Sequence, residues 1–302
     1  MSAEFKSHGY LKDYLICFYY EFKNSSIRQF IKNLLAKIIG KENFYKLIGR
    51  KVKEKFVIKQ RYSQRYAKKM VLKKKLAISD GKPSWFYKAF QRGSTDPLTN
   101  HTLQYIENTL KKESKILITG CGTGITVFHL ADCGFKEVVG SDLLPECIDI
   151  STQIKNDFHY DNTRFFLDDG FNTRTDEKYD LITALHWVFS AWMGNYGNSP
   201  IINPFDKGVR EEALHSFLSK YANILNDNGI LILELIDAVT DYRLATDHHL
   251  GEYSTKIYPI RHSPEQVEKI GKLTGFEVID KKLSVSYGHH PRAYYYLRKT
   301  AS

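Results

Sequence analysis

The sequence predicts an α/β fold: a doubly wound, seven-stranded, mainly parallel sheet with an antiparallel edge strand, plus an N-terminal helical extension. Three observations carry this prediction. Short apolar runs alternate with amphipathic segments from about residue 95 onward. The first of those runs ends in glycines at alternate positions, ILITGCGTGITVF, residues 116–128. Charge divides the chain: residues 1–80 hold 20 Lys and Arg against 6 Asp and Glu, whereas 81–302 hold 24 against 28.

The basic part reads as helices. Ser26 is placed to cap a helix in which Ile27, Phe30, Ile31, Leu34, Leu35 and Ile38 form one apolar stripe, and Gly40 is placed to end it. Arg28, Lys32 and Lys37 lie mostly off that stripe. A second basic helix is expected over 59–77, and SDGKP (79–83) is a turn-rich break. The expected division is therefore an extension at 1–80 and an α/β domain at 81–302.

In the domain, 100–112 reads as a helix capped by Asn100 and 115–120 as a buried strand. A helix over 124–134, a strand over 138–142, a helix over 145–157 and a strand over 163–169 follow. A strand starts at 179, a helix spans 210–225 and a strand covers 229–236. Ser263, Pro264 and Gln266 open a further helix that stops near Gly275. The runs 276–285 and 293–299 can pair antiparallel. Apolar strands alternating with helices need crossover connections, hence a mostly parallel sheet covered on both faces.

Composition sets the class. The 302 residues, 42% hydrophobic, 26% charged and 14% aromatic, suffice for one full core and an appendage. No apolar run approaches the roughly 20 residues a membrane span requires. Lys12, Asp13 and Glu21 interrupt what would otherwise be the apolar part of a leader peptide. Four cysteines show no pair at metal-ligand spacing, which leads us to expect reduced thiols and a cytoplasmic protein.

Gly120, Gly122 and Gly124 stand where the first strand turns into a helix. In a doubly wound sheet, ligands gather at the carboxyl ends of the strands. Glycines there let the backbone turn tightly and approach a ligand, and the helix N-terminus offers free N–H groups to an anion. Asp142, at the end of the next strand, is placed to accept ribose hydroxyls. A dinucleotide fingerprint would read G-x-G-x-x-G/A, whereas this turn reads G-x-G-x-G.

With these residues the chain resembles the class I S-adenosylmethionine-dependent methyltransferases. ILITGCGTG resembles their first motif, GSDLLPECIDIS the second and FFLDDG the third; YDLITALHWVF and ILNDNGILILEL resemble the fourth and the approach to the fifth strand. The resemblance covers about residues 95–300. It implies S-adenosyl-L-methionine as cofactor, held by Gly120, Cys121, Gly122 and Gly124, by Asp142 at the ribose with Leu143 beside it, and by Asp168, Asp169 and Gly170, with the acid at the adenine. Of the two acids Asp169 is preferred, because Gly170 supplies the small residue that follows the family's acid.

Methyl transfer is an in-line displacement, for which a protein must chiefly align donor and acceptor and exclude water. His186, at the end of the fourth strand, is the candidate general base, against the plainer reading that it merely packs there. Trp187 and Tyr196 are candidate walls of the acceptor pocket. The fourth motif, ALHW, lacks the Asn/Asp-Pro-Pro-aromatic turn of enzymes that methylate exocyclic amines, and no Pro-Cys of the cytosine-C5 type is present. Elimination leaves an oxygen on a small-molecule, sugar or lipid-linked acceptor. An RNA methyltransferase and a non-catalytic S-adenosylmethionine-binding regulatory protein are the rivals.

Two long insertions, 190–208 and 237–263, leave the same sheet edge and are expected to act as lid or substrate wall. Asp247, His248, His249 and Glu252 could ligate a divalent ion, but a solvated loop is the preferred reading and no metal is expected. His289 and His290 read as a turn. Three readings compete for residues 1–80. They are a helical cap over the site, a segment lying on an anionic membrane face, and a nucleic-acid contact through RYSQRYAKK. The mildly acidic domain disfavours the last, and the second would place the protein peripherally at the inner membrane face.

Overall fold

A computed structural model describes residues 33–34, 37, 58–73, 97–173, 175–192, 194, 201, 203, 206–236, 260–284 and 292–301. The break at 79–83, both histidine clusters, Tyr196 and most of residues 1–57 lie outside the described residues. Of the first helical stripe, Leu34 is helical and 45% exposed.

In chain order the elements are α1 (Gln64–Lys73), α2 (Pro97–Thr109), β1 (Lys115–Thr119), α3 (Ile125–Asp132), β2 (Glu137–Asp142), α4 (Pro145–Phe158), β3 (Thr163–Leu167) and β4 (Tyr179–Ala184). Then come α5 (Val188–Trp192), α6 (Lys207–Ile224), β5 (Leu225–Ile236), α7 (Pro264–Leu273), β6 (Phe276–Ser284) and β7 (Arg292–Lys299). The sheet order is β3-β2-β1-β4-β5-β7-β6. β1 through β5 run parallel, and β7 pairs antiparallel with both β5 and β6. The reversed strand thus enters beside β5, and β6 becomes the edge.

Four starts differ from the sequence expectation by three or more residues: α1 begins at 64, not 59, β5 begins at 225, not 229, and two helices begin early. Helix α2 begins at Pro97, whose fixed φ suits a first helical position, so Asn100 lies within the helix instead of capping it. Helix α6 begins at Lys207 because the Asp206 carboxylate accepts the Gly208 and Val209 N–H groups. The capping box at Ser263 and Gln266 forms as expected.

The sheet is buried on both faces. Leu117, Ile182, Leu231 and Leu233 pack on one side with Leu214, Phe217 and Tyr221 of α6 and Val267 of α7. Ile116, Ile118, Leu181 and Ile232 pack on the other with Leu103 and Ile106 of α2 and Val127 of α3. A third cluster joins Tyr62, Ala67, Met70 and Val71 to Phe128 of α3 and Cys147, Ile150 and Ile154 of α4. Part of the basic N-terminal region therefore shares a core with the α/β domain. No helix among the described residues is long and apolar enough to cross a membrane.

Candidate active site

The carboxyl ends of β1, β2 and β4 meet at one corner. Gly120, Gly122 and Gly124 all have left-handed backbones, with φ of 62°, 54° and 83°, a region that costs other residues strain. Around Gly122 nothing lies within 4 Å of where a Cβ would stand. The Asp142 carboxylate is half-buried, accepting the Gly122 N–H at 2.8 Å and the Leu144 N–H at 3.0 Å. Burial raises its pKa, and the backbone donors oppose that rise. Leu143, next in the chain, leaves its apolar side chain 39% exposed. Cys121 is a buried free thiol whose pKa burial pushes up, so it is a packing group with little thiolate character.

After β3, Asp169 holds its own turn. One oxygen accepts the Phe171 N–H at 3.0 Å and the other the Asn172 side-chain amide at 2.8 Å. Asp168 is nearly buried, and its N–H donates to the Asp142 carbonyl at 3.0 Å. The Trp187 indole joins this turn to the glycine turn. A Cβ at Gly120 would stand 2.8 Å from its Cγ, and one at Gly170 would stand 2.7 Å from its Cζ2. Its Nε1 donates to Thr119 Oγ1 at 3.1 Å. Trp187 is therefore a wall between the two turns.

His186 stands beside it, also with a left-handed backbone, φ 69°, an uncommon state for a residue with a side chain. The fully buried Glu234 of β5 holds it there. Glu234 Oε2 accepts the His186 main-chain N–H at 2.5 Å and lies 3.0 Å from Nδ1. Glu234 Oε1 accepts from Arg292 at 2.8 Å. Burial pushes the Glu234 carboxyl up, but the charges of His186 and Arg292 outweigh it and hold the pKa down to about 2. On the far side of the ring, Nε2 lies 3.1 Å from Thr99 Oγ1 and 3.2 Å from the Tyr294 hydroxyl. The imidazole is thus clamped at one nitrogen by a carboxylate and faces hydroxyls at the other.

Glu234, Arg292, Tyr294 and Thr99 were absent from the sequence expectation. One signal was available for Glu234: a lone acid inside the apolar run GILILELI must find buried partners or neutralise.

Among the described residues, Glu107, His129 and Cys133 are grouped closely enough to hold a metal ion. The hydrogen bonds argue otherwise. The Lys59 main-chain N–H donates to His129 Nδ1 at 2.9 Å, so the neutral ring carries its proton on Nε2 and gives it to Glu107 at 3.0 Å. A ligating Nε2 would have to shed that proton, so the cluster is a satisfied buried histidine.

A family model described as a methyltransferase domain matches residues 92–281. The chain belongs to the S-adenosylmethionine-dependent methyltransferases. Over 96 residues this methyltransferase is 31% identical to a ribosomal protein L11 methyltransferase of Burkholderia vietnamiensis, covering 32% of this chain and 30% of that one. The Burkholderia lata protein of the same name is 30% identical over the same shares. The chain thus spans 30% of the length of these curated relatives. Among solved structures, a Synechocystis PCC 6803 magnesium protoporphyrin IX methyltransferase with bound SAH is 18% identical, with a TM-score of 0.49, over 67% of this chain and 81% of that one. A methyltransferase from Clostridium acetobutylicum is 17% identical, with a TM-score of 0.46, over 72% and 98% of the two chains.

The residues present fit the family's cofactor. The side-chain-free turn at Gly122 leaves room for a ligand against the backbone. Asp142 is a half-buried acceptor with lone pairs to spare for ribose hydroxyls, and Leu143 beside it leaves an exposed apolar face. Asp169 keeps acceptor capacity beyond the two bonds of its own turn.

Proposed function

We propose that this methyltransferase transfers a methyl group to a hydroxyl oxygen of a small-molecule or surface-glycan sugar, with His186 taking the hydroxyl proton. The observation that carries this reading is the His186–Glu234 pair beside the glycine turn. When bound, S-adenosylmethionine supplies a methyl group already activated by its sulfonium charge. The chain must then bring an acceptor into line and take up one proton.

Glu234 Oε2 and Arg292 Nη1 lie 3.0 and 3.3 Å from Nδ1; in the tautomer with its proton on Nδ1, directed at the carboxylate, the Nε2 lone pair is the acceptor. Thr99 and Tyr294 mark where a hydroxyl sits against Nε2, at 3.1 and 3.2 Å. Both residues are buried, so an acceptor hydroxyl must displace their hydroxyls from Nε2. It would then pass its proton to Nε2, and the resulting imidazolium would face the Glu234 charge. Trp187 walls the cofactor corner. ALHW, without the proline turn of amine-methylating enzymes, supports oxygen over an exocyclic nitrogen.

The local likeness to ribosomal protein L11 methyltransferases favours a second reading, in which the acceptor is a ribosomal protein. A labelled-methyl assay separates the two. The purified protein is offered sugars, glycan and lipid-linked fractions, RNA and ribosomal protein. Label in the sugar-bearing fractions, lost in His186→Ala, is the expected result; label in ribosomal protein or RNA instead would overturn it. An acceptor carried on a lipid would suit the basic segment, and cosedimentation with anionic vesicles tests that arm.

A further inference from the structure

We propose that residues 58–73 brace the cofactor corner: Tyr62 is a positioning residue that acts on the glycine turn through Phe128, and α1 supports Asp142 through α4. This rests on the cofactor reading of Gly120–Gly124 and Asp142, and not on the identity of the acceptor.

The segment is fastened at specific points. The Lys59 N–H donates to His129 Nδ1 at 2.9 Å, and the Arg61 N–H to the Tyr160 hydroxyl at 2.7 Å. The Arg61 guanidinium reaches Asp132 at 2.8 Å and the His159 carbonyl at 2.7 Å, and lies 4.3 Å over the Tyr160 ring. Tyr66 donates to Asp157. These partners belong to α3, α4 and the turn after α4, so the strap ties the two helices together.

Those helices begin at the two ligand-holding corners. Tyr62 meets Phe128 edge to face, with ring centroids 5.5 Å apart. Phe128 in turn closes on the glycine turn: its ring stands 2.8 Å from where a Cβ of Gly124 would be, and its N–H donates to the Gly124 carbonyl at 2.9 Å. At the other corner, Met70 and Val71 are buried in one cluster with Cys147 and Ile150 of α4. Leu144, whose N–H binds Asp142, packs against the same cluster. The strap therefore lies behind both corners, and coupling between its docking and cofactor binding is reciprocal.

The test uses the full chain and S-adenosylhomocysteine, the family's product, as probe. Tyr62→Ala should weaken its binding by about fivefold or more in calorimetry, while kcat at saturating cofactor is unchanged. Tyr62→Phe should bind like the parent, because the buried Tyr62 hydroxyl has no hydrogen-bond partner among the described residues. In the unaltered protein the probe should slow hydrogen exchange at the Lys59 and Arg61 amides. Parental affinity in Tyr62→Ala, with only its melting temperature lowered, would reduce the strap to a cover and overturn the proposal. So would exchange at those amides that ignores the probe. Failure of every acceptor in the methyl assay leaves these binding measurements standing, so the two proposals fail separately.

Discussion

The Trp187 indole lies so close to Gly120 that any side chain there would have to displace it. The far edge of the same ring covers Gly170. Gly120 is needed twice over, for its left-handed φ and for the indole, whereas Gly170 is needed for the indole alone. Gly170→Ala should therefore destabilise the protein by about 1–3 kcal/mol through overpacking. Adding Trp187→Phe should recover most of that loss. Denaturant unfolding measures both; an additive double variant would mean the ring is not what Gly170 accommodates.

Asp142 links the two ligand corners, since its carboxylate holds the Gly122 N–H across from β1. Asp142→Ala removes both the expected ribose acceptor and the clamp on the turn. Cofactor affinity should fall at least roughly tenfold, about 1.4 kcal/mol, with His186 chemistry untouched. Titration calorimetry with S-adenosylhomocysteine reads this directly, and unchanged affinity would remove the ribose assignment.

His186→Ala tests the reactive side alone. Loss of a general base costs about 100-fold or more in turnover, and cofactor affinity should stay at the parental value. An equal loss in both quantities would make His186 part of the binding corner instead.

Glu234 carries a pH signature. Its folded-state pKa near 2 lies below the ~4.3 of an unfolded glutamate. Its stabilisation is therefore complete above about pH 4.3 and is lost as pH falls toward 2. At neutral pH, Glu234→Gln strands Arg292 and should cost on the order of 3 kcal/mol. The gap between variant and parent should narrow as pH falls through that window. Chemical denaturation between pH 7 and 3 checks the trend; a constant gap would show that the carboxylate charge is not what stabilises.

The backbone of the glycine corner was legible in sequence because its signals are local. A strand, a glycine turn and an acid at the next strand end are spaced by backbone geometry, and left-handed φ at Gly120, Gly122 and Gly124 is what those glycines allow. The reactive corner was only half legible. His186 could be found at the end of β4, but its partners come from a register that periodicity does not encode. Glu234 lies opposite Tyr294, and Ile236 opposite Arg292, in the β5–β7 ladder. The early start of α2 has a different, local cause, the proline at its first position. Asn100 looked like a cap, yet the helix starts at Pro97 and brings Thr99 to His186.

The two corners also differ in when they can be assembled. Among the described residues, Phe128, Asp142 and Trp187, which directly adjoin the glycine turn, all precede residue 190. Arg292 and Tyr294 emerge from the ribosome long afterwards and must thread beside β5 before the imidazole gains its neighbours. In the proposed mechanism, the groups that hold the imidazole are therefore the last part of the site to be made.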